Sequence, residues 1–65
     1  MVTKLKLLRV EKDIKQKDLA EKIGITPQYL RLLEIGKAKN PSIDIMKRIA
    51  KALNTDVQTL FFSED

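Results

Sequence analysis

The 65-residue chain has no cysteine and no histidine. Without thiolates there is neither a disulfide nor a sulfur-ligated metal site. Without imidazole, the commonest zinc ligand and the usual acid–base group near neutral pH are both missing. Long apolar runs are absent as well: Leu60-Phe61-Phe62 is among the longest, against the roughly 20 residues a membrane-spanning helix needs. The N-terminus lacks the apolar stretch of a signal peptide. These absences predict a cytoplasmic chain with no cofactor, no metal and no membrane contact. They also argue against an enzyme, because no nucleophile is placed beside a base and Glu34 has no second carboxylate beside it. At this length the chain is one domain, 1–65, near the size at which a single core is only marginally stable.

What is present is basic and helical in pattern. Thirteen Lys and Arg against nine Asp and Glu leave a net charge of +4, which suits a polyanionic partner. The most informative stretch is 16–35. It consists of two short helical patterns joined at Gly24, with the small residue Ala20 four positions earlier. Leu19 and Ile23 can share one helical face, as Leu30 and Leu33 can on the next helix, and Ile25 sits in the joint. Ala20 allows the helices to cross closely. Gly24 can take the left-handed conformation that ends the first helix. Thr26 is a good N-cap, and Pro27 fits the first helical position, where no N–H is needed. The pattern predicts a helix-turn-helix over about 16–35, a unit that lays its second helix in a DNA major groove.

The segments Leu5-Lys6-Leu7-Leu8-Arg9, Gln16-Lys17-Asp18-Leu19-Ala20, Leu33-Glu34-Ile35-Gly36-Lys37, Asn40-Pro41-Ser42-Ile43 and Ile49-Ala50-Lys51-Ala52-Leu53 extend the pattern. Together they resemble the phage repressor and Cro family of helix-turn-helix (XRE-like) transcriptional regulators. The resemblance implies an all-α fold, a compact five-helix bundle of the lambda-repressor type. It further implies that Gln16 grips a backbone phosphate and that Arg9 pairs with Glu34. Against the family, Asp13 stands where glycine is usual, and Pro27, Leu32 and Ile35 stand where polar side chains are common. Leu7 is a further apolar residue at a usually polar place, and Val10 is a milder case.

Helix expectations follow the same reading. The first helix spans about Thr3 to Lys12, with Leu5, Leu8 and Val10 at helical spacing. The second spans Gln16 to Ile23, and the third Pro27 to Ile35, stopping at Gly36. Pro41 and Ser42 announce a fourth helix whose core stripe is Ile43, Met46, Ile49, Ala50 and Leu53. A last short helix covers Asp56 to Phe61, capped by Thr55 or Asn54. Lys47, Arg48 and Lys51 are expected on a solvated face.

A DNA complex needs contacts that anchor and contacts that read. Thr26, Pro27, Gln28, Arg31 and Leu32, at the start of the third helix, are the candidates for base readout. Gln28 can pair with adenine and Arg31 with guanine, while Leu32 suits a thymine methyl. Lys15, Gln16, Tyr29, Lys37, Lys39, Asn40 and Ser42 are the candidates for phosphate, Gln16 because a helix N-terminus favours an anion. The alternative for each lysine is ordinary solvation, and Tyr29 can equally pack on the domain.

The expected function is sequence-specific transcriptional regulation, as a repressor binding a palindromic operator in double-stranded DNA. The protein would be a homodimer held through Leu60, Phe61 and Phe62, with Leu60 turned inward and one of the rings left for the twin subunit. No effector-binding region is visible, so control through concentration, proteolysis or a protein antagonist is expected. An antitoxin paired with a toxin and a restriction–modification controller are variants of this reading. The rival from another class is a protein-interaction module, or coactivator, that keeps the fold without the DNA activity.

Overall fold

In the computed structural model, residues 3–38 and 40–62 are described, and all their regular structure is helical. The elements are α1 (Lys4–Glu11), α2 (Gln16–Ile23), α3 (Pro27–Glu34), α4 (Ile43–Ala52) and α5 (Gln58–Phe62). α5 is a single turn of π type. α2 packs on α3 and α4, while α1 packs on α3 and α5. The all-α, five-helix expectation therefore holds.

Side chains cap most of the helix starts. Thr3, Thr26 and Ser42 accept hydrogen bonds from the N–H groups of Lys6, Tyr29 and Ile45 at 3.2, 3.0 and 3.1 Å. Asp56, rather than Asn54 or Thr55, fills this role for the last helix, accepting from the Thr59 N–H at 2.7 Å. A carboxylate accepts that N–H more strongly than a neutral side chain. The same bonds hold the Asp56 carboxyl below its ordinary pKa.

The helix ends share one device. Ile14, Ile25, Lys37 and Thr55 return N–H bonds to the carbonyls of Arg9, Ala20, Leu32 and Ala50. In each case the residue just before the returning N–H is left-handed: Asp13 (φ 55°), Gly24 (φ 80°), Gly36 (φ 81°) and Asn54 (φ 57°). That closure satisfies carbonyls the helix leaves over. Two of the positions use glycine and two use Asp or Asn, the other residues that tolerate this region. At Gly24 an added Cβ would sit 3.5 Å from Arg48 Nη1, and at Gly36 it would meet nothing within 4 Å, so conformation and not space selects glycine there.

The core is formed by Leu5, Leu19, Ala20, Ile23, Leu30, Leu33, Ile49, Ala50, Leu53 and Leu60. Ala20 is fully buried, as a close crossing requires. One expectation fails here: Ile43 is 57% exposed and is not core, while Val10, set apart in the sequence as a departure from the family pattern, is 53% exposed. On α4 the buried stripe is centred on Ile45, Met46, Ile49, Ala50 and Leu53. At 3.6 residues per turn, Ile43 lies about 90° from that centre. On α1 only Leu5 and Leu8 turn inward, and the next place on that inner face belongs to Arg9.

Candidate nucleic-acid interface

α3 divides cleanly into two faces. Leu30, Leu33 and Glu34 are buried, whereas Pro27, Gln28 and Arg31 are exposed, with the Thr26 cap beside them. Gln28 and Arg31 are three residues apart and share a face. Leu32 is half-buried, as is Ile35, so neither stands out from this face as a bare apolar side chain. Tyr29 is also half-buried and packs against the core.

Behind this face sits a buried ion pair. Arg9 Nε lies 2.5 Å from Glu34 Oε2, and Arg9 Nη2 donates to Glu34 Oε1 at 3.1 Å. The Glu34 side chain is 1% exposed and that of Arg9 is 12% exposed. Three further bonds converge here. Arg9 Nη1 donates to the carbonyl of Ile14 at 2.7 Å, fixing the turn that leads into α2. The Thr3 hydroxyl donates to the Glu34 carbonyl at 2.7 Å. Gln16 Nε2 donates to Glu34 Oε1 at 3.1 Å. One residue of α3 thus ties α1, α2 and the helix that carries the exposed face.

Gln16 was expected at the surface as a phosphate ligand. It is half-buried, with its amide anchored on Glu34, and it opens α2. The N-cap of that helix is Lys15, whose side chain makes no capping bond, so the first N–H groups of α2 lack the side-chain acceptor that α1, α3 and α4 have. Lys15 itself is exposed, and so are Lys37, Asn40 and Ser42, although the Ser42 hydroxyl is engaged in capping α4. Lys39 lies outside the described residues. Of the C-terminal trio, Leu60 is only 7% exposed and belongs to the protomer's own core, which removes it from any surface. Phe61 packs partly against that core, and Phe62 is 61% exposed.

Sequence reasoning missed three interactions: the Gln16 amide on Glu34, the Thr3 hydroxyl on the Glu34 carbonyl, and the role of Arg48. Arg48 was read as part of a solvated face. It is exposed, yet it donates to the Ile23 carbonyl at 3.3 Å and pairs with Asp44 at 2.9 Å, tying α4 to the end of α2. The i,i+4 spacing of Asp44 and Arg48 was the one sequence signal for it. Among the described residues no buried side-chain nitrogen or oxygen lacks a partner, no acidic cluster could hold a metal ion, and no helix is long and apolar enough to cross a membrane.

A family model described as helix-turn-helix, HTH_3, matches residues 5–60. The chain belongs to the helix-turn-helix family. Its relatives include an uncharacterised HTH-type transcriptional regulator of Methanocaldococcus jannaschii, 35% identical over 65 residues, which covers all of this chain and 97% of the relative. The HTH-type transcriptional regulator SinR of Bacillus licheniformis is 34% identical over 62 residues, 95% of this chain and 56% of SinR. This helix-turn-helix chain therefore spans little more than half of SinR and almost the whole of the archaeal relative. The structure of SinR, the master regulator for biofilm formation, in complex with DNA superposes with a TM-score of 0.79 at 36% identity, over 86% of this chain and 89% of that one. The SinR/SinI protein complex gives 0.82 at 34% identity, over 91% and 57%. These relatives are named as regulators, not enzymes.

Proposed function

We propose that the chain is a sequence-specific DNA-binding transcriptional regulator, a cytoplasmic repressor that recognises a palindromic operator as a homodimer. The observation that carries this reading is the exposed face of α3. It is capped by Thr26, opened by Pro27 and held from behind by the Glu34 network, and it presents Gln28 and Arg31 together. A reading helix needs side chains with donors and acceptors on a rigid element, and these two can address adenine and guanine edges in the major groove. Thr26, Pro27 and Leu32 complete the reading edge. Lys15, Gln16, Lys37, Asn40 and Ser42 take the flanking phosphates, with Lys39 assigned from its place in the sequence and Tyr29 from its hydroxyl. The SinR structure with DNA supports the same docking by similarity.

The homodimer reading draws its support from size. The Cα atoms of one protomer extend 27 × 23 × 22 Å, less than the about 34 Å that separates successive half-sites on one DNA face. One copy therefore reads a single half-site. Phe62, continued by Phe61, is the apolar surface assigned to the twin subunit. Control by a protein antagonist is the favoured form of regulation, in line with the SinR/SinI complex. The antitoxin and controller variants share this interface and differ only in partner and target. The interaction-module reading rests on Leu32 and Ile35, which are both half-buried, with Leu7 and Val10, 57% and 53% exposed, as a further apolar pair.

Footprinting across a genome, with binding to mixed-sequence duplex measured over a salt series, tests the reading. Contact with about five phosphates per protomer gives a slope of roughly −4 to −5 in log affinity against log salt. Discrete palindromic footprints are expected; a salt slope near zero removes DNA as the ligand.

A further inference from the structure

We propose that Glu34 is a positioning residue for the phosphate contact. Its buried carboxylate fixes the Gln16 amide with one N–H turned inward and the second left for a DNA phosphate. The inference rests on the DNA-binding reading above and assigns one of its contacts an internal cause.

The geometry leaves little freedom. A carboxylate accepts hydrogen bonds and an arginine only donates them, so the atom of Gln16 that faces Glu34 must be nitrogen and not oxygen. That nitrogen stands 3.1 Å from Glu34 Oε1, the same oxygen that Arg9 Nη2 reaches at 3.1 Å. Glu34 is 1% exposed, so water does not compete for the site. Arg9 Nη1 also holds the Ile14 carbonyl at 2.7 Å, two residues before Gln16. The backbone entering α2 and the side chain that opens it are thus fixed by one pair. An amide has two N–H donors, and only one is used here. The other belongs to the first residue of a helix whose N-cap side chain makes no capping bond.

A phosphate accepts hydrogen bonds and donates none, so a freely rotating glutamine would present the wrong end part of the time. Glu34 removes that choice. The rotamer freedom a surface glutamine would lose on gripping a phosphate is already absent in the free protein.

The test is a thermodynamic cycle on the whole chain. Arg9→Met with Glu34→Leu replaces the pair by apolar groups, a change that folded proteins often tolerate. Gln16→Ala removes the amide, and the third variant combines all three. Affinity is measured for mixed-sequence duplex and for a selected operator. Deleting the pair is expected to weaken both about tenfold, the scale of a charge-assisted hydrogen bond, with the salt slope unchanged because the pair is net neutral. In the Gln16→Ala background the same deletion should change mixed-sequence affinity by less than about twofold, as expected when the pair reaches the phosphate only through Gln16, while operator affinity still reports its hold on α3. In parallel, 15N relaxation of the Gln16 side-chain amide in the free protein should show order in the wild type and motion in the folded pair-deleted variant. An equal loss of mixed-sequence affinity in both backgrounds would show that the pair acts through the scaffold, and would overturn the inference while leaving DNA binding intact. A mobile Gln16 amide in the wild type would do the same. A wild type that binds no DNA at low salt would overturn the function and this inference together.

Discussion

The two ends of the molecule are held by different means. The α1–α3 end is organised around one buried polar centre, in which Glu34 receives Arg9 and Gln16 while its carbonyl receives Thr3. The α4–α5 end has no such centre among its described residues. It is held by the Ile45–Leu53 stripe and by Leu60, and it finishes on an exposed Phe62. Apolar packing is tolerant of small shifts, whereas hydrogen bonds to a buried charge fix both distance and direction. The difference teaches where accuracy is built in: on the helix that exposes Gln28 and Arg31, not on the end that finishes on Phe62.

The sharpest way to break the contrast is to remove one partner of the buried centre. Glu34→Ala leaves Arg9 without its counterion and should cost about 3–5 kcal/mol in denaturant unfolding. Leu60→Ala, at the other end, should cost about 2–5 kcal/mol through transfer and cavity terms alone. Operator affinity sharpens the comparison: Leu60→Ala should leave intrinsic half-site recognition intact at temperatures where the variant remains folded. If the two variants affect recognition equally, the ends are not functionally distinct.

The next effect is on reading. Gln28→Ala should cost about 1–3 kcal/mol on the operator while sparing mixed-sequence duplex, whereas Lys37→Ala should weaken both alike and flatten the salt slope by about one. Equal losses on both DNAs for Gln28→Ala would make it an anchor and shift the docking.

The helix-closing residues give a smaller, signed pair. Gly24→Ala forces a Cβ into a left-handed conformation with space around it, so about 1 kcal/mol should be lost. Asp13→Gly should move the other way by up to about 1 kcal/mol, since Asp13 holds the same conformation at a cost. Thermal melts of the two variants decide this.

At the C-terminal end, Phe62→Ser should change protomer stability by less than about 0.5 kcal/mol, as expected for an exposed side chain. The mass in solution at micromolar concentration should nevertheless fall to that of a monomer. A dimer that survives would move the interface to Leu7 and Val10.

The smallest effect is on pH dependence. The Asp56 carboxyl is held below its ordinary pKa by the Thr59 backbone and side-chain bonds. Its contribution is present above the unfolded value of about 3.9 and is lost as pH falls through the lower folded value. Acid titration of wild type against Asp56→Asn should therefore diverge above that window and converge below it.

Much of this was legible in the chain. The spacing of Leu19, Ile23, Leu30 and Leu33, the closure at Gly24 and the Thr26-Pro27 start are local signals, each set by residues within one or two turns of one another. The α4 stripe differs from expectation at one member, Ile45 in place of Ile43, because both lie at the edge of the apolar face. Which of them is buried depends on where α2 lies. The cap at Asp56 was missed because three consecutive residues, Asn54, Thr55 and Asp56, are all good caps, and only the placement of α5 selects among them. Leu60 was correctly placed inward, but which of Phe61 and Phe62 stays exposed could not be read, since a single turn has too few residues to define a face.

By itself the sequence determined the helices, the closures at Gly24 and Gly36, and the inner residues of α2 and α3, and it supplied the candidates for DNA contact. Those follow from backbone sterics and from polar and apolar spacing along one short segment. Tertiary structure decided what Gln16 faces, what Arg48 caps, which C-terminal ring stays exposed, and that Glu34 joins three helices. Each of these depends on distances between residues far apart in the chain, which are set only when the helices pack on one another and exclude water from between them.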